Sequence, residues 1–319
     1  MKKSILISLL ALALALAGCS PSAPAQSGGE EARLTVVSTT YPVYLLASAL
    51  TENVEGVTVE RLNTGAVSCL HDYTLSVDDM KRIEGADLIA LNGAGLEDFM
   101  DDALAQTQAL AVDCSQGVEL LEAVGHDHHD GDEEEGGHYD PHIWMDPDNA
   151  VIMAGNLCRG LREADPDHAE TYEENLASVT ALLGGWKSTL GDMVTETEES
   201  GVSIPGLITF HDGFQYFAAA FDLPLLFAIE EEEGSEASAQ EINETVQLVE
   251  EHSIPIIFTE VNGSDATAQA IARETGCQVG QLTMLMDGPD DGKLSNYLDG
   301  LSANITAIVN GFAGEAVIQ

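Results

Sequence analysis

The sequence predicts an α/β protein made of two lobes that a long helix joins. Apolar, β-branched segments alternate with segments of helical periodicity on both sides of the middle of the chain, a pattern typical of mainly parallel sheets covered by helices. A long helical pattern separates the two series. The length of 319 residues also exceeds what one compact core usually holds. These observations together indicate two α/β lobes in tandem.

The first lobe is expected to span residues 33–166. Ser76 and Asp79 form a capping-box pattern at the start of one of its helices, with Asp in the place that Glu usually takes. The expected elements are strands at 34–39, 57–62 and 86–91, and helices at 43–50, about 76–83 and 96–104.

The linking helix and the second lobe follow, at residues 167–200 and 201–319. The helical pattern that starts near Asn149 breaks at Asp165-Pro166 and resumes to about Glu198, so a stiff strut between the lobes is expected. The strand at 206–210 and its helix at 214–221 repeat the order at the start of the first lobe. A Ser-x-x-Glu capping box opens a helix at 238–252, and a buried strand at 254–259 follows it.

The N-terminal residues predict export and a lipid anchor. Lys2 and Lys3 precede an apolar stretch of 13 residues from Ile5 to Ala17, which is too short to span a bilayer. Residues 1–18 are therefore predicted to be a signal peptide. The sequence Leu-Ala-Gly-Cys, which ends at Cys19, resembles a lipobox. Residues 19–32 are rich in Ser, Pro, Ala and Gly and are expected to form a flexible tether. An ordinary signal peptide with a chance cysteine is the alternative.

The charge of the chain excludes one class of partner. Eleven basic residues against 55 acidic ones give a net charge of −44. So acidic a surface repels nucleic acid phosphates and anionic lipid and attracts cations. Four cysteines, Cys69, Cys114, Cys158 and Cys277, leave three disulfide pairings open, or free thiols.

Five of the nine histidines lie between residues 126 and 142. The segment 126–138 consists almost wholly of His, Asp, Glu and Gly and predicts a loop that holds metal loosely. The alternative is a solvated acidic linker. The histidines of this secondary metal loop are His126, His128, His129 and His138.

Three further histidines fall in ordered contexts. His71 and His211 each follow a strand, one in each lobe, and His142 lies in the segment Asp-Pro-His-Ile-Trp-Met-Asp-Pro. Ligands of open α/β sheets bind beyond the carboxyl ends of the strands. The three side chains are therefore candidates for one shared metal site.

These motifs resemble those of the zinc and manganese solute-binding lipoproteins of bacterial ABC importers, on the zinc branch. The resemblance covers residues 33–312, and an acidic, His-rich insertion is typical of zinc members. It implies two Rossmann-like (βα)4 lobes, a rigid linking helix and a metal site in the interlobe cleft. The matching segments are His71-Asp72-Tyr73, Asp140 to Pro147, His211 to Phe217, and Ile257-Phe258-Thr259-Glu260.

The resemblance also implies the ligand set. His71, His142 and His211 match three ligand positions, and Asp287 best matches the fourth, a carboxylate that zinc members often replace by water. Asp290 and Asp291 lie close to Asp287 and leave that position open. Glu260 is expected to be a supporting residue beside the metal ligands. Asp146 or Asp72 is expected to fix the tautomer of a ligand imidazole. Cys69, two residues before His71, is an alternative ligand.

Three imidazoles with one oxygen suit a tetrahedral Zn²⁺ site, whereas Mn²⁺ prefers more carboxylate oxygen. We therefore expect a monomeric, lipid-anchored extracytoplasmic protein that captures zinc for an ABC permease, with manganese as the alternative ion. A zinc hydrolase is a second hypothesis, although the sequence contains neither His-Glu-x-x-His nor Gly-x-Ser-x-Gly. A surface adhesin with structural metal is a third.

Overall fold

A computed structural model describes residues 33–62, 73–123, 139–229, 237–261 and 263–318. The predicted leader, lipidation site and tether lie outside these residues, as do Cys69, His71, Asp72 and the loop 126–138. The described part forms two four-stranded parallel sheets with helices around them, which confirms the predicted fold class.

The first sheet has the strand order β2-β1-β3-β4, and all of its neighbouring strands run parallel. The strand β1 comes first in sequence, β2 pairs with it on one side, and the chain then crosses back to form β3 on the other side. That reversal leaves a crevice beyond the carboxyl ends of β1 and β3, where open sheets bind ligands. The strands are β1 (Leu34–Ser38), β2 (Val57–Arg61), β3 (Leu88–Leu91) and β4 (Leu110–Asp113).

The second sheet repeats this topology, with the order β6-β5-β7-β8. Its reversal lies between β5 and β7, so the second crevice is at the carboxyl ends of those two strands. The strands are β5 (Leu207–Thr209), β6 (Leu225–Ala228), β7 (Ile256–Glu260) and β8 (Gln278–Leu282).

The helices begin where the sequence provides capping groups. Ser76 and Ser238 each accept a hydrogen bond from the backbone N–H three residues on, and the acidic residue there returns one, as the two capping-box patterns predict. The helices are α1 (Tyr41–Leu50), α2 (Val77–Gly85), α3 (Asp101–Leu104), α4 (Pro147–Ala164), α5 (Ala169–Glu199), α6 (Gln215–Ala220), α7 (Ala239–His252), α8 (Ala266–Thr275) and α9 (Ser295–Ala313). None of the helices described is both long and apolar enough to cross a membrane.

The helix α5 packs against both lobes. It contacts α1 and α4 of the first lobe and α9 of the second. One apolar core runs through this seam, since the buried side chains of α1, α4, α5 and α9 form a single cluster. A smaller apolar cluster covers the other face of each sheet. A continuous core between the lobes limits how far they can move apart.

The helix expected at 96–104 is shorter in the structure, where a 3-10 turn at Asp98–Met100 leads into α3. Gly93, Ala94 and Gly95, which come just before this segment, have positive φ angles, so the chain turns sharply after β3. Glu97, buried just after them, turns back to accept hydrogen bonds from the N–H groups of Asn92 and Gly93.

The described cysteines, Cys114, Cys158 and Cys277, are free thiols. Cys114 and Cys158 are buried in the first lobe's side of the core.

Candidate metal centre

His211 stands at the crevice of the second sheet. It follows β5, and the hydroxyl of Thr209 donates a hydrogen bond to its carbonyl oxygen, which fixes the backbone as the strand ends. Glu260 is the last residue of the neighbouring strand β7, so its side chain emerges at the same edge. Its Oε1 atom lies 3.3 Å from Nδ1 of His211, and both side chains are buried.

His142 lies just before a 3-10 turn, Ile143–Met145, that leads into α4. The Asp140 carboxylate accepts its backbone N–H at 2.9 Å, an Asx-type turn across Pro141. The same oxygen lies 2.7 Å from Nδ1 of the His142 ring. One buried carboxylate therefore holds both the backbone and the imidazole of this residue.

The crevice of the first sheet holds the His142 segment in place. Asn92 follows β3, and its side-chain amide donates to the carbonyl oxygen of Pro141 at 2.9 Å. Asn92 is itself fixed by its N–H bond to the buried Glu97, 2.7 Å long. Burial raises the pKa of Glu97 to about 7, although hydrogen bonds from Thr39, Gly93 and Asn92 oppose that rise.

The two imidazoles meet across the interlobe cleft. Nε2 of His142 lies 3.2 Å from Nε2 of His211, with the ring centroids 4.9 Å apart and the rings nearly perpendicular. Nδ1 of His142 lies 2.7 Å from a carboxylate oxygen of Asp140, and Nδ1 of His211 lies 3.3 Å from one of Glu260. A carboxylate only accepts hydrogen bonds, so it favours the tautomer with the proton on Nδ1. In that tautomer both Nε2 atoms have a lone pair available for a cation.

The spacing fits one metal ion bound by both rings. Two nitrogen ligands at 2.0–2.1 Å from a tetrahedral Zn²⁺ are about 3.3–3.4 Å apart, close to the 3.2 Å observed here. Carboxylate partners on Nδ1 are the usual support of a metal-bound histidine. Within the described residues no group of three His, Cys, Asp or Glu side chains is arranged to hold a metal ion. His71, the third predicted ligand, lies outside them.

The site sits on the seam between the lobes. Trp144, two residues after His142, donates from Nε1 to the carbonyl oxygen of Met284 at 2.9 Å. The hydroxyl of Tyr297, on α9, donates to the carbonyl oxygen of Trp144 at 2.6 Å. The hydroxyl of Tyr216, on α6, donates to the Asp140 carbonyl oxygen at 2.9 Å. Contacts from the second lobe thus hold the ligand segment of the first.

Glycine is required at the position two residues after His211. A Cβ added at Gly213 would lie 2.8 Å from Cδ2 of His211 and 3.0 Å from Nδ1 of His142, and would overlap the Met284 methyl group. The backbone here packs directly against both imidazoles. Substitution by any other residue has to displace a ring or Met284.

A cavity of about 220 Å³ opens beside Glu260, the carboxylate next to His211. It is lined by Glu260, Val261, Thr283, Met284, Met286, Asp287 and Gly288. Asp287, the predicted fourth ligand, therefore lines the same cavity as Glu260. Its Oδ1 atom, however, accepts hydrogen bonds from Arg61 at 3.0 Å and from the Gly288 N–H at 2.8 Å.

The structure gives Asp146 a different role from the one the sequence suggested. Asp146 caps α4 through the Asp148 N–H, and it pairs with Lys187 of α5 at 2.8 Å. Asp140 instead makes the contact with the His142 ring. The signal for this was local: an Asp two residues before a histidine is the spacing of an Asx turn. Glu260, which was also expected to support a ligand, lies 3.3 Å from Nδ1 of His211.

Comparison with known proteins identifies related chains. The family model described as ZnuA, zinc-uptake complex component A, periplasmic, matches residues 36–311. Zinc-binding lipoprotein AdcA of Streptococcus pneumoniae is 26% identical over 97% of this chain, which spans 60% of AdcA. Manganese ABC transporter substrate-binding lipoprotein scaA of Streptococcus gordonii is 26% identical over 88% of both chains.

A crystal structure of ZnuA superposes with a TM-score of 0.73 at 26% identity, covering 87% of this chain and 98% of that one. The same two-lobed architecture therefore recurs in a protein of matching sequence family. Because the family model spans most of the chain, this protein belongs to the ZnuA family of metal-binding components of ABC importers.

Proposed function

We propose that this protein captures Zn²⁺ outside the cytoplasm and delivers it to an ABC permease. The observation that carries the proposal is the pair of Nε2 atoms 3.2 Å apart, on two rings whose Nδ1 atoms each lie beside a carboxylate oxygen. Family membership supports the transport role, and the relatives named above include lipoproteins that bind zinc and manganese.

In this proposal His71, His142 and His211 bind the metal, with water as a fourth ligand. Neutral imidazoles favour Zn²⁺ over Mn²⁺, for which oxygen ligands are better suited. Asp287 is not assigned as a ligand, because its carboxylate is engaged by Arg61. The loop with His126, His128, His129 and His138 is proposed to collect zinc weakly before it reaches this site.

The protein works as a carrier and not as an enzyme in this proposal. Bound metal would join a ligand segment of each lobe, so metal binding favours a closed cleft. The core shared by the lobes limits the closure to a small movement. The closed form would dock on the permease as a monomer, tethered to the membrane by lipid on Cys19.

Calorimetric titration of the metal-free chain tests the proposal. We expect one tight zinc site per chain, and a loss of affinity of more than about 100-fold in His142→Ala. His252→Ala is the matched control, because His252 is exposed in the last turn of α7 and far along the chain from the ligand segments. Equal zinc affinity in the wild-type chain and His142→Ala would refute the assignment.

A further inference from the structure

Arg61 occupies a fixed position at the mouth of the first lobe. It is the last residue of β2, and its side chain is only 16% exposed. The guanidinium carbon lies 4.9 Å from the ring centroid of Tyr41 and 6.0 Å from that of Tyr44. Stacking on these aromatic rings of α1 restricts the direction in which the guanidinium can point.

The guanidinium points at the second lobe and binds one loop there at three places. Nη2 donates to Oδ1 of Asp287 at 3.0 Å and to the carbonyl oxygen of Gly288 at 3.2 Å. Nε donates to Oδ1 of Asp290 at 2.7 Å. A planar guanidinium suits this because its N–H groups diverge in a fixed plane.

Tyr41 holds the same loop. Its hydroxyl donates to the carbonyl oxygen of Pro289 at 3.2 Å. The backbone of Gly288 lies against the Tyr41 ring so closely that an added Cβ would overlap it. The loop 287–290 is therefore clamped to the first lobe by charge and by close packing.

Asp287 differs from Asp290 in what it faces. Asp287 lines the cavity that Glu260, the partner of His211, also lines. Among the residues described, Asp290 is not part of that lining. Of the two carboxylates that Arg61 holds, Asp287 is therefore the one that shares a cavity with the partner of His211.

We propose that Arg61 determines metal specificity by holding the Asp287 carboxylate against the first lobe, which withholds an oxygen ligand from the metal and favours zinc over manganese. This inference rests on the proposed zinc site. A site with three imidazoles and water suits Zn²⁺, and an added carboxylate oxygen improves it mainly for Mn²⁺. Arg61 acts on the metal only through Asp287 and is a positioning residue.

Dissociation constants for Zn²⁺ and Mn²⁺, measured by competition with a chromophoric chelator, test the proposal. Arg61→Met keeps an apolar stem against the tyrosines and removes the charge. Releasing Asp287 should favour Mn²⁺ relative to Zn²⁺ by about tenfold, which corresponds to about 1.4 kcal/mol. Adding Asp287→Asn to Arg61→Met should restore the wild-type ratio. Arg61→Lys, with a single ammonium group, should fall in between.

Two single variants keep the test independent of how well Arg61→Met folds. Asp287→Asn alone should leave both dissociation constants unchanged, because the carboxylate is already withheld. Asp290→Asn, the matched control, should leave the ratio unchanged as well. Weaker zinc or manganese binding by Asp287→Asn would overturn the inference, as would an unchanged ratio in Arg61→Met or a shifted ratio that survives in the double variant.

The failure of this inference can be told from the failure of the proposed function. If the wild-type chain binds zinc tightly and the variants behave otherwise than stated, only the role of Arg61 is wrong. If the wild-type chain has no tight zinc site, the proposed function is overturned, and this inference with it.

Discussion

The Asp140 carboxylate contacts His142 twice through a single oxygen, which accepts the backbone N–H at 2.9 Å and lies 2.7 Å from ring Nδ1. The other carboxylate oxygen, Oδ2, is buried and has no hydrogen-bond partner among the described residues. A buried carboxylate placed in this way both orients the ring and raises its basicity toward a cation.

Asp140→Asn should lower zinc affinity by about 10–100-fold, because the amide keeps the shape of the side chain and loses its charge. Asp146→Asn is the matched control: it lies in the same motif, pairs with Lys187, and should leave the affinity unchanged. Calorimetry on both variants checks this. A larger loss of affinity in Asp146→Asn than in Asp140→Asn would reverse the assignment of the two carboxylates.

Trp144 should report on metal binding through its fluorescence. Its ring is fully buried and packs edge-on against the His142 ring, with centroids 5.2 Å apart. The chain contains two tryptophans, so Trp186→Phe leaves Trp144 as the sole indole. We expect that a zinc titration changes the emission of Trp186→Phe and leaves that of Trp144→Phe unchanged. The reverse pattern would place the metal away from His142.

Trp144→Phe should also destabilise the metal-free chain. It removes the N–H that satisfies the Met284 carbonyl oxygen across the interlobe seam. Leaving a buried acceptor without its partner costs about 1–3 kcal/mol. Urea unfolding, followed by circular dichroism, gives the free energy of unfolding of Trp144→Phe and of Trp186→Phe. Trp186 is the control because it is only half-buried, on α5. Equal stability of the two variants would contradict the expectation.

Asp165, between α4 and α5, should make the fold sensitive to acid. Burial by itself raises its pKa, but hydrogen bonds from Arg33, Tyr172 and His168 outweigh that effect and lower the pKa to about 2. A carboxylate with a lowered pKa stabilises the fold above its unfolded pKa of about 4, and this contribution is lost as the pH falls toward 2.

We therefore expect that Asp165→Asn loses about 1–2 kcal/mol of unfolding free energy at pH 7, allowing for screening at the partly exposed Arg33. Its stability should also fall less steeply than that of the wild-type chain between pH 5 and pH 2. Asp167→Asn is the control, because Asp167 is exposed and lies in the 3-10 turn Pro166–His168 that follows Asp165. If the free energy of unfolding falls equally with pH in Asp165→Asn and in the wild-type chain, Asp165 is not the cause of the acid sensitivity.

Deletion of residues 126–138 should leave the tight zinc site intact. His142 and His211 and their carboxylate partners all lie outside this segment. The deletion should remove only weak binding, seen as additional zinc bound per chain when zinc is in excess. Loss of the tight site in the deletion variant, measured by the same titration, would mean that the loop supplies an essential ligand.

The parts of the fold that could be predicted from the sequence are those with strong local signals. The strands β1, β3, β5 and β7 lie at the centres of their sheets and consist largely of buried apolar residues. Of the edge strands, β2 was predicted because valines alternate along it, whereas β4, β6 and β8 were not predicted. Those three strands are only partly buried, and exposed polar residues, such as Gln278 and Gln281 of β8, weaken the apolar pattern.

The same distinction applies to the candidate site. His142 and His211 follow from motifs and from their positions at strand ends, and Glu260 follows from the end of β7. The contact between Arg61 and Asp287 joins residues 226 positions apart, and nothing local in either segment indicates it. Such pairings depend on how the two lobes pack together, so they become visible only in the folded chain.

Anomalous diffraction at the zinc absorption edge, from crystals of the zinc-loaded chain, locates the bound ion. We expect one strong peak about 2.0–2.1 Å from Nε2 of both His142 and His211. A strong peak elsewhere, with the two Nε2 atoms not bound to a common ion, would contradict the proposed zinc site.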